Sequence, residues 1–144
     1  MAKEVLKSYE NCFRRELVNF PRSAYIHIPF CHRRCFYCDF PVVPLGDKAR
    51  GDFGPGSTLI KSYLKFLFRE IELTSNGPPL STVYIGGGTP SLLSPEQISK
   101  LLSHLKKQFG LQCGAEISLE IDPASFSQKD LLEYLEAGIN RLSL

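Results

Sequence analysis

Residues 24–40 read AYIHIPFCHRRCFYCDF. The first five alternate and are rich in β-branched and aromatic side chains, which predicts a buried strand over 24–28 that Pro29 ends. Directly after it come Cys31, Cys35 and Cys38, spaced Cys-x3-Cys-x2-Cys. Three thiols in one loop can hold three corners of an iron–sulfur cube and leave the fourth iron without a protein ligand, whereas ordinary electron-transfer clusters take four cysteines. An open position on a metal site is where a substrate or cofactor binds. The alternative is a structural zinc site with His32 or His27 as fourth ligand, although such sites usually pair Cys-x2-Cys with a second pair further on, and none follows here. Cys12 and Cys113 are isolated and read as small apolar residues. An odd count of five cysteines, three of them crowded together, favours a reducing compartment over a disulfide framework.

Downstream, residues 41–57 collect prolines and glycines and are expected to form a mobile loop. Ile60, Tyr63, Leu64, Leu67, Phe68 and Ile71 recur at helical spacing over 58–73. TVYIG, 82–86, is a second strand, and Gly86-Gly87-Gly88-Thr89-Pro90 follows it. Ser94 as N-cap, Pro95 at the first helical position, Gln97 completing a capping box and Gly110 as terminator bracket the next helix. EISLEI, 116–121, is a third strand. A helix over 128–137 lies between Ser127 and Gly138, and INRLSL, 139–144, is a fourth strand. The order β-α-β-α-β-α-β predicts an α/β fold with a parallel sheet of about four strands and crossover helices. Ligands in such folds gather at the carboxyl ends of the strands. The cysteines, the glycine triplet and Glu120 all fall on that rim.

The triplet exposes backbone N–H and C=O groups to a small zwitterion, and it reads equally as a tight strand-to-helix turn. It lacks the Lys-Ser/Thr pair of a phosphate loop and the spacing of a dinucleotide fingerprint. Glu120 is a candidate ligand contact, with a solvated or ion-paired carboxylate as the ordinary alternative. His27 is expected to pack or hydrogen-bond locally, and His104 to be solvated.

Over 144 residues, 43% hydrophobic content suffices for one domain with a core, and a formal charge of +2 without a basic stripe speaks against nucleic acid. No apolar run approaches the ~20 residues of a membrane span. Residues 1–23 read as an N-terminal arm, with an amphipathic helix over 3–18 carrying Val5, Leu6, Cys12, Phe13 and Leu17 on one side. Glu4, Glu10 and Glu16 argue against an uncleaved organellar transit peptide, which leaves a mature organellar protein open. Residues 24–144 form the remaining unit.

Four runs, YIHIPFCHRRCFYCDF, YIGGGTPSLL, SLEIDPASF and GINRLSL, resemble the radical S-adenosylmethionine superfamily, and within it the oxygen-independent coproporphyrinogen III oxidase group. The oxidases carry a further cysteine two residues past the third cluster cysteine. Here that position is Phe40, which resembles the HemW-type haem chaperones and sets porphyrinogen decarboxylation in question. The resemblance implies a partial (β/α) barrel, cut short after about four strands, so that the chain is expected to be a fragment or truncated form lacking a C-terminal domain, with an inactive metal-binding fragment as one alternative. It implies that Cys31, Cys35 and Cys38 bind a 4Fe–4S cluster. It further implies that Tyr25, Tyr37, Gly87, Gly88, Thr89 and Glu120 lie near S-adenosylmethionine, whose reductive cleavage starts radical chemistry. Haem or porphyrin, a haem-acceptor protein and an electron donor such as flavodoxin or ferredoxin are the implied partners. No haem ligand is assigned. The style of the cysteine run is closest to the cyanobacterial and plant branch, which implies the cytoplasm, or a plastid or mitochondrial matrix.

Overall fold

The structure is a computed structural model that describes residues 22–123 and 126–144. The arm helix expected over 3–18, and Cys12 with it, lie outside the described residues. Four parallel strands form the main sheet: β1 (Ser23–Ile28), β4 (Leu80–Gly87), β5 (Leu111–Glu120) and β6 (Arg141–Ser143), hydrogen-bonded in that order. Helices α1 (Ser57–Leu73), α2 (Pro95–Phe109) and α3 (Gln128–Ala137) form the crossovers. Strand order that follows chain order, with every crossover of one hand, lays all the helices on one face. Accordingly α1 packs on α2 and α2 on α3.

Period-2 alternation decides which face each side chain takes. Ile26, Ile28, Val83, Ile85, Ile117 and Leu119 are buried in the core together with Ile60, Leu64, Leu67 and Ile71 of α1 and Ile98, Leu101 and Leu105 of α2. Each such side chain contributes about 1.5–3 kcal/mol by leaving water. The opposite face carries Tyr25, His27, Tyr84, Ser118, Glu120 and Arg141, brought into rows by the register Tyr25↔Tyr84, Tyr84↔Ser118 and Ser118↔Arg141. One face is therefore apolar and helix-covered, the other polar, with Tyr25 and Arg141 exposed and Ser118 fully buried beneath its neighbours.

The helix boundaries follow their capping chemistry. Ser94 accepts a hydrogen bond from the Gln97 N–H while Gln97 Oε1 accepts one from the Ser94 N–H, closing the expected capping box on α2. Ser127 and Asp130 build the same reciprocal cap on α3. Tyr134 fastens α3 to the segment after β4, its buried hydroxyl donating toward the carbonyls of Ser91 and Leu93 at 3.1 and 2.9 Å.

Pro29 ends the first strand as expected, at Ile28, but two features depart from the loops expected after it. The chain does not leave sheet structure for good at Pro29: β2 (Phe30–Cys31) pairs with β3 (Val43–Pro44) in a small parallel sheet. Pro29 lacks an N–H, but its carbonyl accepts from Val43 N at 2.7 Å. Nor is 41–57 one mobile loop. Ala49 and Gly51 are buried, and Gln97 Nε2 donates to the Gly51 carbonyl at 3.0 Å. An ideal Cβ on Gly51 would stand 2.3 Å from Gln97 Oε1, so glycine at that point lets the loop lie against the start of α2.

Candidate cofactor site at the strand ends

The cysteine segment is held from both sides by backbone hydrogen bonds. On one side the Leu45 N–H donates to Cys31 O at 2.8 Å and the Gly46 N–H to His32 O at 3.0 Å. On the other, Gly88 N donates to Ile28 O at 2.8 Å and Thr89 N to Phe30 O at 2.7 Å. The glycine segment thus runs against the cysteine segment main chain to main chain. A Cβ on Gly88 would sit 2.5 Å from Phe30 O and 2.8 Å from Cys31 Sγ; one on Gly87, at φ +124°, would meet Ile28 O at 2.7 Å. The tight turn is present: the glycines permit the close approach, and that approach places their backbone beside the thiols.

A cavity of about 620 Å³ gathers Cys31, Cys35, Cys38, Tyr37 and Gly87–Thr89. Cys31 is buried, Cys38 half-buried and Cys35 exposed. Burial pushes the Cys31 thiol above its ordinary range; a hydrogen bond with Thr89 pulls it back, and the neighbouring Cys38 and Cys35 add to the rise. The Tyr37 phenol is raised chiefly by its hydrogen bond with Cys35. Among the described residues no three His, Cys, Asp or Glu side chains converge on a point that one metal ion could occupy. The thiols are instead spread around a cavity, and a donor set of three cysteines beside a side-chain-free backbone suits a multinuclear cluster with room for a second ligand at its open corner.

The other two candidates stand apart from this cavity. Glu120 lines a smaller adjoining one, of about 270 Å³, with Gly88 and Thr89. Both its carboxylate oxygens are engaged: Oε1 accepts from the Tyr84 hydroxyl at 2.7 Å and Oε2 from the Gly87 N–H at 3.0 Å. Tyr25 lies on the polar face, its ring stacked on Tyr84 with centroids 6.1 Å apart and its hydroxyl 3.1 Å from His27 Nδ1. Burial, then Glu120 and Tyr84, raise the Tyr25 phenol. Tyr84 was missed by sequence reasoning, although its position two residues before Gly86 on one strand puts both on the same face.

The histidines divide differently from expectation. His27 does hydrogen-bond locally, and its Nε2 is buried without a partner among the described residues. His32 lines the cysteine cavity, with Nδ1 3.2 Å from Gly46 O. His104 is not simply solvated: it stacks flat on Phe68 at 4.1 Å between centroids, because α1 and α2 lie side by side there. Cys113 is exposed rather than packed as a small apolar residue, since it sits at the start of β5 before that strand enters the core.

Residues 25–144 match the radical SAM superfamily.

The chain belongs to that family.

Among relatives of the radical SAM chain, the haem chaperone HemW of Synechocystis sp. is 46% identical over 125 residues, covering 86% of this chain and 29% of the relative. The oxygen-independent coproporphyrinogen III oxidase of Escherichia coli is 34% identical over 142 residues, 94% of this chain and 29% of the relative. A solved structure of coproporphyrinogen III oxidase (HemN) from Escherichia coli, described as a radical SAM enzyme, superposes with a TM-score of 0.67 at 29% identity, over 92% of this chain and 30% of that one. The chain therefore spans under a third of the length of these relatives, and over that span it has the α/β fold of a radical SAM protein with four parallel strands. Membership implies a 4Fe–4S cluster and S-adenosylmethionine. No described helix is long and apolar enough to cross a membrane.

Proposed function

We propose that the chain is the cluster- and S-adenosylmethionine-binding portion of a HemW-like haem chaperone, a protein that binds haem and delivers it to acceptor proteins. The observation that carries this reading is the single cavity shared by three thiols and the bare backbone of Gly87–Thr89. Cys31, Cys35 and Cys38 hold the 4Fe–4S cluster. Gly87, Gly88 and Thr89 offer main-chain groups to the methionyl part of the ligand, and Tyr37 borders it. Glu120 acts by fixing Gly87, and Tyr25 supports Glu120 through Tyr84. The cofactors, when bound, supply one-electron chemistry. The protein's part would be to hold the cluster through three cysteines and leave one position open, on a segment anchored to the core by the buried Ile28 and Phe30. A small electron-donor protein of the flavodoxin or ferredoxin kind, a haem-acceptor protein and a reducing compartment complete the proposal. The cytoplasm is the simplest location, with a plastid or mitochondrial matrix the choice for a plant protein.

Similarity to the oxidase structure favours a second reading, a radical enzyme acting on a porphyrinogen. Phe40 stands against it, because it occupies the position where the oxidase group carries another cysteine. Anaerobic reconstitution with iron and sulfide, followed by electron paramagnetic resonance with and without S-adenosylmethionine, tests the shared part. The proposal expects a 4Fe–4S signal whose shape changes on adding the ligand, and a cluster indifferent to the ligand would refute the open corner. Haem transfer to an acceptor supports the chaperone, whereas porphyrinogen decarboxylation supports the oxidase.

A further inference from the structure

Arg50 sits in the stretch expected to be a loose Gly/Pro loop, yet both of its neighbours are fixed. Ala49 is fully buried, and Gly51 is held by Gln97 in a space that admits no Cβ. The backbone is therefore pinned on each side of Arg50 and the exposed side chain is turned outward. Arg50 is one of the residues lining the cavity that gathers the three cysteines, Gly87, Gly88 and Thr89.

Two other arginines lie in the cysteine segment, and both are engaged. Arg33 makes a two-pronged ion pair with Asp47, and Arg34 donates toward Cys38 O at 3.4 Å. Among the described residues Arg50 closes no ion pair or hydrogen bond, unlike Arg33 with Asp47. Its field does reach α3, helping to hold the Asp130 carboxyl down. Asp47 and Asp122 are the carboxylates on the cavity wall itself. A guanidinium with no partner among the described residues, carried on a backbone pinned on both sides, is suited to forked recognition of a planar anion.

We propose that Arg50 is a carboxylate anchor of this cavity, gripping the acid group of the organic ligand that lies beside the cysteines. The proposal rests on the cofactor reading above and names a residue that reading does not use. Two ligands carry the required chemistry: S-adenosylmethionine through its methionyl carboxylate, and a tetrapyrrole through a propionate.

The test titrates the full chain, loaded anaerobically with iron and sulfide, with S-adenosylmethionine, with coproporphyrin III and with coproporphyrin III tetramethyl ester. Wild type, Arg50→Gln and Lys48→Gln are compared at matched cluster absorbance. Lys48 carries the same charge two residues away, outside the cavity lining. A charge-assisted hydrogen bond lost from such a site weakens binding roughly tenfold or more. The expected result is a loss of that size for at least one of the two acids in Arg50→Gln alone, with the ester bound equally by all three proteins. Loss with S-adenosylmethionine assigns Arg50 to the methionyl group, and loss with coproporphyrin assigns it to a propionate. Equal affinity of wild type and Arg50→Gln for both acids overturns the proposal, and a lowered melting temperature in that variant would then assign Arg50 to balancing Asp122 and Asp130. A loaded wild type that binds neither acid overturns it as well. If no cluster forms, it is the assignment of the cysteines that fails, and titration of the cluster-free chain with coproporphyrin and its ester still decides the role of Arg50.

Discussion

A carboxylate at a strand end is ordinarily hydrated, but Glu120 directs one oxygen to a phenol and the other to a glycine N–H, and so joins the middle of β4 to its end. Removing the Tyr84 hydroxyl or one Glu120 oxygen should each cost about 0.5–1.5 kcal/mol. A double-mutant cycle on Tyr84→Phe and Glu120→Gln, read by chemical denaturation, should return a coupling of at least ~0.5 kcal/mol; additive losses would mean that the pair does not form. Gly88 is the position with least tolerance. Gly88→Ala presses a methyl on Phe30 O and Cys31 Sγ, and overpacking of this kind costs roughly 1–3 kcal/mol. The variant should melt lower and load less iron than wild type under identical reconstitution; unchanged iron content would show that the two segments can part without loss. The identity of the three cysteines is plain in the sequence because their spacing is local. The partner of Glu120 is not, because it depends on strand register across 36 residues.

Each helix of the second half starts on a reciprocal cap, and the two caps differ in their response to acid. Gln97 is neutral, whereas Asp130 titrates. Hydrogen bonds from the Ser127 backbone and hydroxyl hold the Asp130 carboxyl below its ordinary value of 3.8. A depressed carboxylate adds stability that is present above the unfolded value and disappears as pH falls through the folded one. Asp130→Asn should therefore be less stable than wild type at pH 6, and the difference should shrink toward pH 3 when the denaturation midpoints are compared. A gap that widens with acid would reverse the sign and refute the assignment. Both helices, their caps and their terminating glycines could be read from the sequence, since capping chemistry is local. The β2–β3 pair could not: two-residue strands carry no periodicity, and Val43 with Pro44 resembles any proline-rich turn until the Pro29 and Cys31 carbonyls are seen to need donors. The same holds for the loop before α1, whose composition signals freedom while Gln97 takes that freedom away.

Across the whole molecule, the core and the cofactor site are separable. The sheet and its helices close around aliphatic side chains, while Phe36, Tyr37 and Phe40 between and beyond the cysteines are largely exposed. Little of the core depends on where the thiols point. Cys35→Ala, or removal of iron by a chelator, should abolish visible absorbance and leave the far-ultraviolet circular dichroism close to that of the loaded protein. Collapse of the dichroism would mean that the cluster organises the fold. Parallel order and the four strands of the main sheet followed from alternation of periods along the chain. The polar face did not, because it emerges only when Tyr84, Ser118 and Arg141 are set side by side by register.

The tether between Gln97 and Gly51 divides a stretch of uniform composition into two halves with different fates under proteolysis. Ala49 and Gly51 present a backbone that a protease cannot draw into its cleft without unseating the start of α2. Phe53, three residues past Arg50 and exposed, has no such restraint on its side chain. Brief digestion with an enzyme that cuts after aromatic residues should nick this loop after Phe53, and Gln97→Ala should let an enzyme that cuts after arginine reach Arg50 as well.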